Sequence, residues 1–391
     1  MSKSAQKKHK NGQYFTKDLG LKQKVSEYIL NNPSVILEPS IGRGDLVSHI
    51  LENKNIIFDM YELDTTIELL PEINHENVKY GDFINQSISK LYTTIIGNPP
   101  YIRTKTGNLY IDFTRKCFNL LEQNGELIFI VPSDFLKLTS SVTLLNTMMT
   151  EGTFTHIYHP HNENLFENAS IDVIVFRYCK NASLDKRVLY NDNLMYITNS
   201  NGLITFSEAS VDLNTEGHVL LQDYFDIYVG IVNGKEEVYK NEALGNISVL
   251  NGKNKINKYI FVESFPTDNP AVNTHLLEHK PELISRKIKS FSEANWFEWG
   301  APRNINTIRT QMGKECIYIY NLTRNTEVAF LGNVQYFGGS LLILIPKKTC
   351  NLQSVVGYLN STQFKHNFTF SERFKIGHRQ LCNSHIPAEF L

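Results

Sequence analysis

The chain has 391 residues, 41% of them apolar and 20% charged, and a formal net charge of −1. That is a length for about two domains and the composition of a globular chain with a sizeable core, without an overall charge that would draw a polyanion. The longest apolar runs, Leu127 to Val131 and Leu341 to Ile345, exclude a bilayer-spanning segment, and the Lys-rich start lacks the adjoining apolar stretch of an export signal.

In chain order, helical spacing covers Lys17 to Leu30, a short strand runs over Val35, Ile36 and Leu37, and a second helix begins near Asp45. Strand patterns follow at Ile56 to Tyr61, Val78 to Tyr80 and Thr93 to Ile96, with a helical turn over Thr65 to Leu70. A helix over Leu109 to Leu121 precedes strands at Glu126 to Val131 and Phe154 to Tyr158, and Ile171 to Tyr178 is expected at the edge of the sheet. This alternation predicts an α/β unit with a largely parallel, helix-covered sheet and a ligand site at the C-terminal ends of its strands.

The most informative segment is Asn98-Pro99-Pro100-Tyr101, at the end of the apolar stretch Tyr92 to Ile96. An exocyclic amino group is a poor nucleophile because its lone pair is delocalised. Two acceptors taking both N–H hydrogens, the amide oxygen of Asn98 and the carbonyl of Pro99, would localise that lone pair. Consecutive prolines fix φ and remove two donors, which holds the Pro99 carbonyl rigidly, and Tyr101 offers a face to a planar substrate. Three further segments sit at predicted strand ends. Leu37-Glu38-Pro39-Ser40-Ile41-Gly42-Arg43-Gly44 is a strand followed by a glycine turn that lets backbone approach a ligand. Tyr61-Glu62-Leu63-Asp64 places a carboxylate where ribose hydroxyls can be held, and Gly81-Asp82-Phe83 offers a carboxylate and a ring to a purine.

In this order the motifs resemble those of the adenine-N6 DNA methyltransferases of the gamma class, the TaqI-like arrangement found in type II restriction-modification systems. The resemblance extends to Gly12-Gln13-Tyr14-Phe15-Thr16, although Lys17 stands where a proline is common, and to the strand Gly125 to Pro132. It implies a Rossmann-like, S-adenosylmethionine-dependent methyltransferase sheet over residues 1–210 and a C-terminal α+β target-recognition domain over 211–391. The cofactor residues it implies are Thr16, Glu38, Ser40, Gly42, Glu62, Asp82, Phe83 and Asn98. Asn98 and Pro99 would polarise the amino group of a flipped adenine, with Tyr101, and Phe166 of Asn164-Leu165-Phe166-Glu167-Asn168, stacking on the base. Methyl transfer would then be a direct displacement without a covalent enzyme intermediate.

From residue 216 onward Lys+Arg number 19 against 16 Asp+Glu, and from Arg303 to Leu391 ten against four, interleaved with Tyr336, Phe337, Phe364, Phe368, Phe370 and Phe374. Basic residues mixed with aromatics suit nucleic acid. Arg303, Arg309, Arg324, Arg373, Lys375 and Arg379 are the candidate contacts to duplex DNA, with phosphate positioning expected more than base reading. Looser recognition-domain likenesses occur at Tyr228 to Gly234, His279 to Arg286, Trp296 to Arg303 and Gly338-Gly339.

No metal is expected: the five cysteines form no Cys-x-x-Cys pair, and His156, His159 and His161 lack an acidic or cysteine partner in their loop. The expectation is a cytoplasmic monomer acting on double-stranded DNA beside a separate cognate endonuclease or alone. An RNA adenine methyltransferase and a protein glutamine methyltransferase share the Asn-Pro-Pro-Tyr chemistry. A glutamine methyltransferase does not normally carry so long a basic and aromatic C-terminal region.

Overall fold

The computed structural model describes residues 14–52, 56–104, 107–167, 169–208 and 217–390. Gly12, Gln13, Asn168 and the expected boundary near residue 210 lie outside these described residues. The chain divides into two compact units, 1–211 and 212–391.

The first unit is built on ten strands: β1 (Val35–Glu38), β2 (Ile57–Glu62), β3 (Val78–Tyr80), β4 (Tyr92–Gly97), β5 (Leu121–Pro132), β6 (Thr153–Tyr158), β7 (Val173–Cys179), β8 (Arg187–Tyr190), β9 (Asn193–Ser200) and β10 (Leu203–Ser207). They form one sheet in the order β10-β9-β8-β6-β7-β5-β4-β1-β2-β3. From β3 to β5 every pairing is parallel. Alternation along these strands sends side chains to two separate cores. Leu37, Ile95, Leu127, Phe129 and Val131 pack with α3 (Leu109–Asn119) and α4 (Val142–Glu151) on one face. Ile36, Ile96, Ile128 and Ile130 pack with α1 (Leu19–Glu27) and α2 (Asp45–Leu51) on the other.

Two expectations are corrected. Residues Thr65 to Leu70 form a turn and extended chain rather than a helical turn, held by Leu70 N–H donating to the Arg43 carbonyl. The strand at 173–179 is not at the edge: it lies antiparallel between β5 and β6, and all seven of its residues are buried. A strand covered on both faces, its one charge at Arg177 paired with buried Glu126, belongs inside a sheet, and the β8–β10 meander supplies the edge instead.

Buried charge stitches the sheet's other end. Glu126, fully buried, accepts from Arg177 Nε at 2.8 Å, Thr94 Oγ1 at 2.9 Å and the N–H groups of Leu30 and Asn31 at 3.1 Å each.

The second unit centres on a four-stranded antiparallel sheet in the order Phe225–Val229, Leu341–Pro346, Glu315–Tyr320, Ala329–Asn333. A two-stranded ribbon, Ile247–Gly252 with Lys255–Tyr259, stands apart from that sheet. Phe337, Phe364, Phe368 and Phe374 are buried in the unit's interior, so these aromatics serve its core rather than a nucleic-acid surface. Among the described residues no helix is long and apolar enough to cross a membrane.

Candidate active site

A cavity of about 260 Å³ opens where β1 to β4 end. After β1 the chain turns through Gly42 (φ 57°) and Gly44 (φ 93°) into α2, conformations that favour glycine. A Cβ on Gly44 would also fall 2.5 Å from Ile73 Cγ1. The turn is fastened by the next strand: Glu62 accepts from Gly42 N–H at 2.8 Å and from Asp64 N–H at 2.9 Å. Each carboxylate oxygen keeps acceptor capacity toward the cavity. The hydroxyl of Ser40 is buried in the cavity wall without a hydrogen-bond partner among the described residues.

Glu38 is the deepest group in this wall. Burial pushes its carboxyl up to about 8, with the Glu62 charge adding to the rise and the Ser40 N–H opposing it. At pH 7 it is therefore mostly protonated, and a cation placed in the cavity favours its ionised form. Binding of a cationic cofactor between pH 6 and 8 is expected to release a proton. Calorimetry in two buffers of different ionisation enthalpy reads this directly; identical heats in both would contradict it.

Asp82 and Phe83 follow β3. Asp82 caps a short turn, accepting from Ile84 N–H at 3.0 Å and from Asn85 Nδ2 at 2.6 Å. Phe83 is stacked on Phe113 at 5.4 Å, and the Lys116 ammonium lies 4.6 Å from the Phe83 ring centroid. That ammonium also donates to the carbonyls of Phe83, Ile84 and Gln86, the last two at 3.1 and 2.5 Å. Lys116 is thus a positioning residue for the whole loop. Nothing in the local sequence signals it, because its partners lie about one strand and one helix upstream. Lys116→Met is expected to raise the cofactor KM on the order of tenfold at nearly unchanged kcat. An unchanged KM would dismiss the role.

The Asn-Pro-Pro-Tyr turn closes the cavity's inner end. Asn98 Nδ2 donates to the Tyr14 carbonyl at 2.8 Å and to Thr16 Oγ1 at 3.0 Å, so the turn and the N-terminal segment hold each other. Asn98 Oδ1 accepts from the Tyr101 hydroxyl at 2.6 Å, whose proton is shared with the Ile130 carbonyl at 3.0 Å. Burial raises the Tyr101 phenol, which stays a donor. Pro99 is buried, and its carbonyl has no hydrogen-bond partner among the described residues. Pro99, Tyr101 and Phe166 do not line the cavity itself; Asn98, Pro100, Thr16, Glu38, Ser40, Gly42, Glu62, Asp82 and Phe83 do.

Beside that end lies an aromatic nest. Tyr14 stacks on Tyr101 at 5.4 Å and 29°, and is tilted against Phe166 at 5.8 Å; Tyr101 and Phe166 meet edge-on at 6.2 Å. The ring touching both expected base-stacking residues is therefore Tyr14, which sequence reasoning passed over within its own motif. Phe166 sits on the loop between β6 and β7, whose ends are joined through His159. His159 Nε2 meets Asp172 Oδ2 at 2.7 Å and its Nδ1 meets the Tyr190 hydroxyl at 2.8 Å. The expectation that these histidines lack an acidic partner is corrected: Asp172 is near in space, thirteen positions on. Among the described residues no group of three or more His, Cys, Asp or Glu is placed to hold a metal.

Residues 45–166 match the family model described as the Eco57I restriction-modification methylase. The matched residues all fall in the first unit. The chain is 25% identical to the type II methyltransferase M.HincII of Haemophilus influenzae over 289 residues, 66% of this chain and 56% of that one. It is 26% identical to M.HindII of the same species over 254 residues, 57% of this chain and 48% of that one. It thus spans about half the length of these curated relatives. Among solved structures, the type IIL restriction-modification enzyme MmeI in complex with DNA aligns with 93% of this chain and 63% of its own, at a TM-score of 0.58 and 10% identity. A DrdV–DNA complex aligns with 88% and 50%, at 0.50 and 11%. At such identities these two likenesses concern the fold.

The cavity chemistry fits S-adenosylmethionine, the cofactor that the sequence resemblance implies. Among the described residues the lining carries Glu38, Asp45, Glu62, Asp64 and Asp82 and no lysine or arginine, which suits a ligand bearing a sulfonium and an ammonium. The unpartnered Ser40 hydroxyl and the backbone at Gly42 offer polar contacts, and Phe83 offers an apolar wall.

The expected DNA contacts of the second unit lie on separate elements. Arg373 and Lys375 flank buried Phe374 on one face of a short strand, Arg379 is on the helix His378–Cys382, and Arg303 is exposed ahead of the helix Ile305–Gln311. Arg309 is already paired, donating to Glu263 at 3.1 Å and to the Tyr336 hydroxyl at 3.1 Å. Arg286, in the His279 to Arg286 stretch, is buried and donates to the carbonyls of Leu283, Asn233, Trp296 and Glu298, a structural role.

Proposed function

We propose that the chain transfers a methyl group from S-adenosylmethionine to the N6 amino group of adenine in double-stranded DNA, at a specific site. The observation that carries this reading is the meeting of an acidic cofactor cavity with the Asn98 amide, the unpartnered Pro99 carbonyl and an aromatic nest at one end of the sheet.

S-adenosylmethionine supplies an electrophilic methyl group. Glu62 would hold the ribose hydroxyls, Asp82 and Phe83 the adenine ring, and Glu38, Ser40, Gly42 and Thr16 the amino-acid end. A flipped target adenine would stack on Tyr101 in place of the Tyr14 ring, with Phe166 at its edge. Its amino hydrogens would go to Pro99 O and to Asn98 Oδ1, displacing the Tyr101 hydroxyl from the latter. Both acceptors are fixed before the base arrives, one by proline rings and the other by the donor bonds of Asn98 to Tyr14 and Thr16. Preorganised acceptors of this kind lower a barrier without reorganising at the moment of reaction. The second unit would recognise the target sequence, and a separate endonuclease of the same specificity would be the natural partner.

Tritiated methyl transfer onto unmethylated duplex DNA, with structured RNA and a protein extract in parallel, tests the reading after nucleoside analysis. N6-methyladenine in DNA alone is the expected result. Label in RNA or on protein glutamine would replace it with one of the related chemistries.

A further inference from the structure

The ribbon Ile247–Tyr259 of the second unit carries three lysines, three asparagines and no acidic residue in thirteen positions. It forms one wall of a second cavity, of about 490 Å³. Alternation along its second strand turns Lys255, Asn257 and Tyr259 to the cavity, from exposed rim to buried floor. The first strand is bulged at Asn251: Leu250 pairs with Ile256 and Gly252 with Lys255, leaving one residue extra. Such bulges re-aim side chains, and here the Asn251 amide enters the cavity wall. Gly338 lies opposite, and a Cβ there would fall 2.3 Å from Asn251 Oδ1, so a larger residue would push that amide aside.

Hydrogen bonds fix which polar atoms remain. Asn251 Nδ2 donates to Asn257 Oδ1 at 3.2 Å and to the Tyr259 hydroxyl at 3.0 Å, and that hydroxyl donates to Glu236 Oε1 at 2.7 Å. The chain therefore spends Asn257 Oδ1 and one Glu236 oxygen inward. It leaves the Asn257 Nδ2 donors and the other Glu236 oxygen for a ligand. Among the described residues the ammonium groups of Lys240 and Lys255, both at the rim, have no hydrogen-bond or ion-pair partner. A fixed donor beside a fixed acceptor matches a base edge that bears an exocyclic amino group next to an acceptor, and rim cations match the flanking phosphates. A two-stranded ribbon is also of a size the DNA major groove admits.

We propose that this cleft is a base-reading site for duplex DNA, with Asn257 and Glu236 contacting a base edge and Lys240 and Lys255 the phosphates. The proposal rests on the DNA-methyltransferase reading above and deepens it by locating sequence recognition.

The test is to methylate a random-sequence duplex library with the full chain and map N6-methyladenine by single-molecule sequencing. Asn257→Ala and Glu236→Gln are expected to relax one position of the methylated motif by about tenfold in base preference. Lys255→Gln, at an exposed site where folding is not at stake, is expected to weaken DNA binding alike on all sequences and to lower the salt slope by about 1. An unchanged motif in the first two variants together with unchanged binding in the third would overturn the assignment while leaving the methyltransferase reading intact. A wild-type chain that makes no N6-methyladenine in DNA would overturn both.

Discussion

Asn98→Ala is expected to lower turnover by on the order of a hundredfold or more, because the proposed mechanism loses the acceptor that would polarise the target amino group. The same side chain also donates to Tyr14 O and Thr16 Oγ1, so the alanine variant frees the N-terminal segment from the turn as well. Asn98→Asp separates the two roles. It keeps an acceptor toward the amino group but cannot donate to the Tyr14 carbonyl, and its charge changes the site beside Glu38. If polarisation dominates, alanine loses more in kcat than aspartate does. If anchoring the N-terminal segment dominates, both lose cofactor affinity to a similar degree. Single-turnover methyl transfer with equilibrium binding of the cofactor distinguishes them, and near-wild-type turnover in Asn98→Ala would sink the mechanism.

The largest stability effect is expected at Arg177. Among the described residues its guanidinium is the one charged partner of fully buried Glu126, 2.8 Å away. Arg177→Met leaves that carboxylate with Thr94 and two backbone N–H groups only, and should destabilise the first unit by about 3–5 kcal/mol. Urea unfolding measures it. The double variant Glu126→Gln with Arg177→Met removes the stranded charge and should recover part of the loss; no recovery would mean that packing of the arginine, rather than its charge, carries the effect.

What the sequence made legible is what local pattern encodes. Ile36 and Leu37 point to opposite cores as their alternation requires, and Asn98 through Tyr101 falls at the end of β4 because two prolines cannot continue a strand. The position of β7 was not legible: a largely apolar seven-residue strand fits an interior place or a neighbouring one equally until its antiparallel partners are known. The buried phenylalanines 337, 364, 368 and 374 were misplaced for a related reason. Their spacing among lysines and arginines carries charge information, while burial depends on elements far off in the chain. Lys116 and His159 were missed because each works through partners distant in sequence, the first on a loop it does not belong to and the second across the span of a loop it closes.

That last closure has a consequence for how the loop can vary. Closing a flexible loop costs entropy that grows only slowly with length, about 0.6 kcal/mol per doubling. With His159 and Asp172 joined at the neck, and Asn191 gripping the His159 backbone from β8's turn at 2.6 and 2.9 Å, the ends of the loop stay on the sheet whatever lies between. The segment bearing Phe166 can lengthen, shorten or change its course with little penalty to the unit beneath it, like a purse drawn shut by its string.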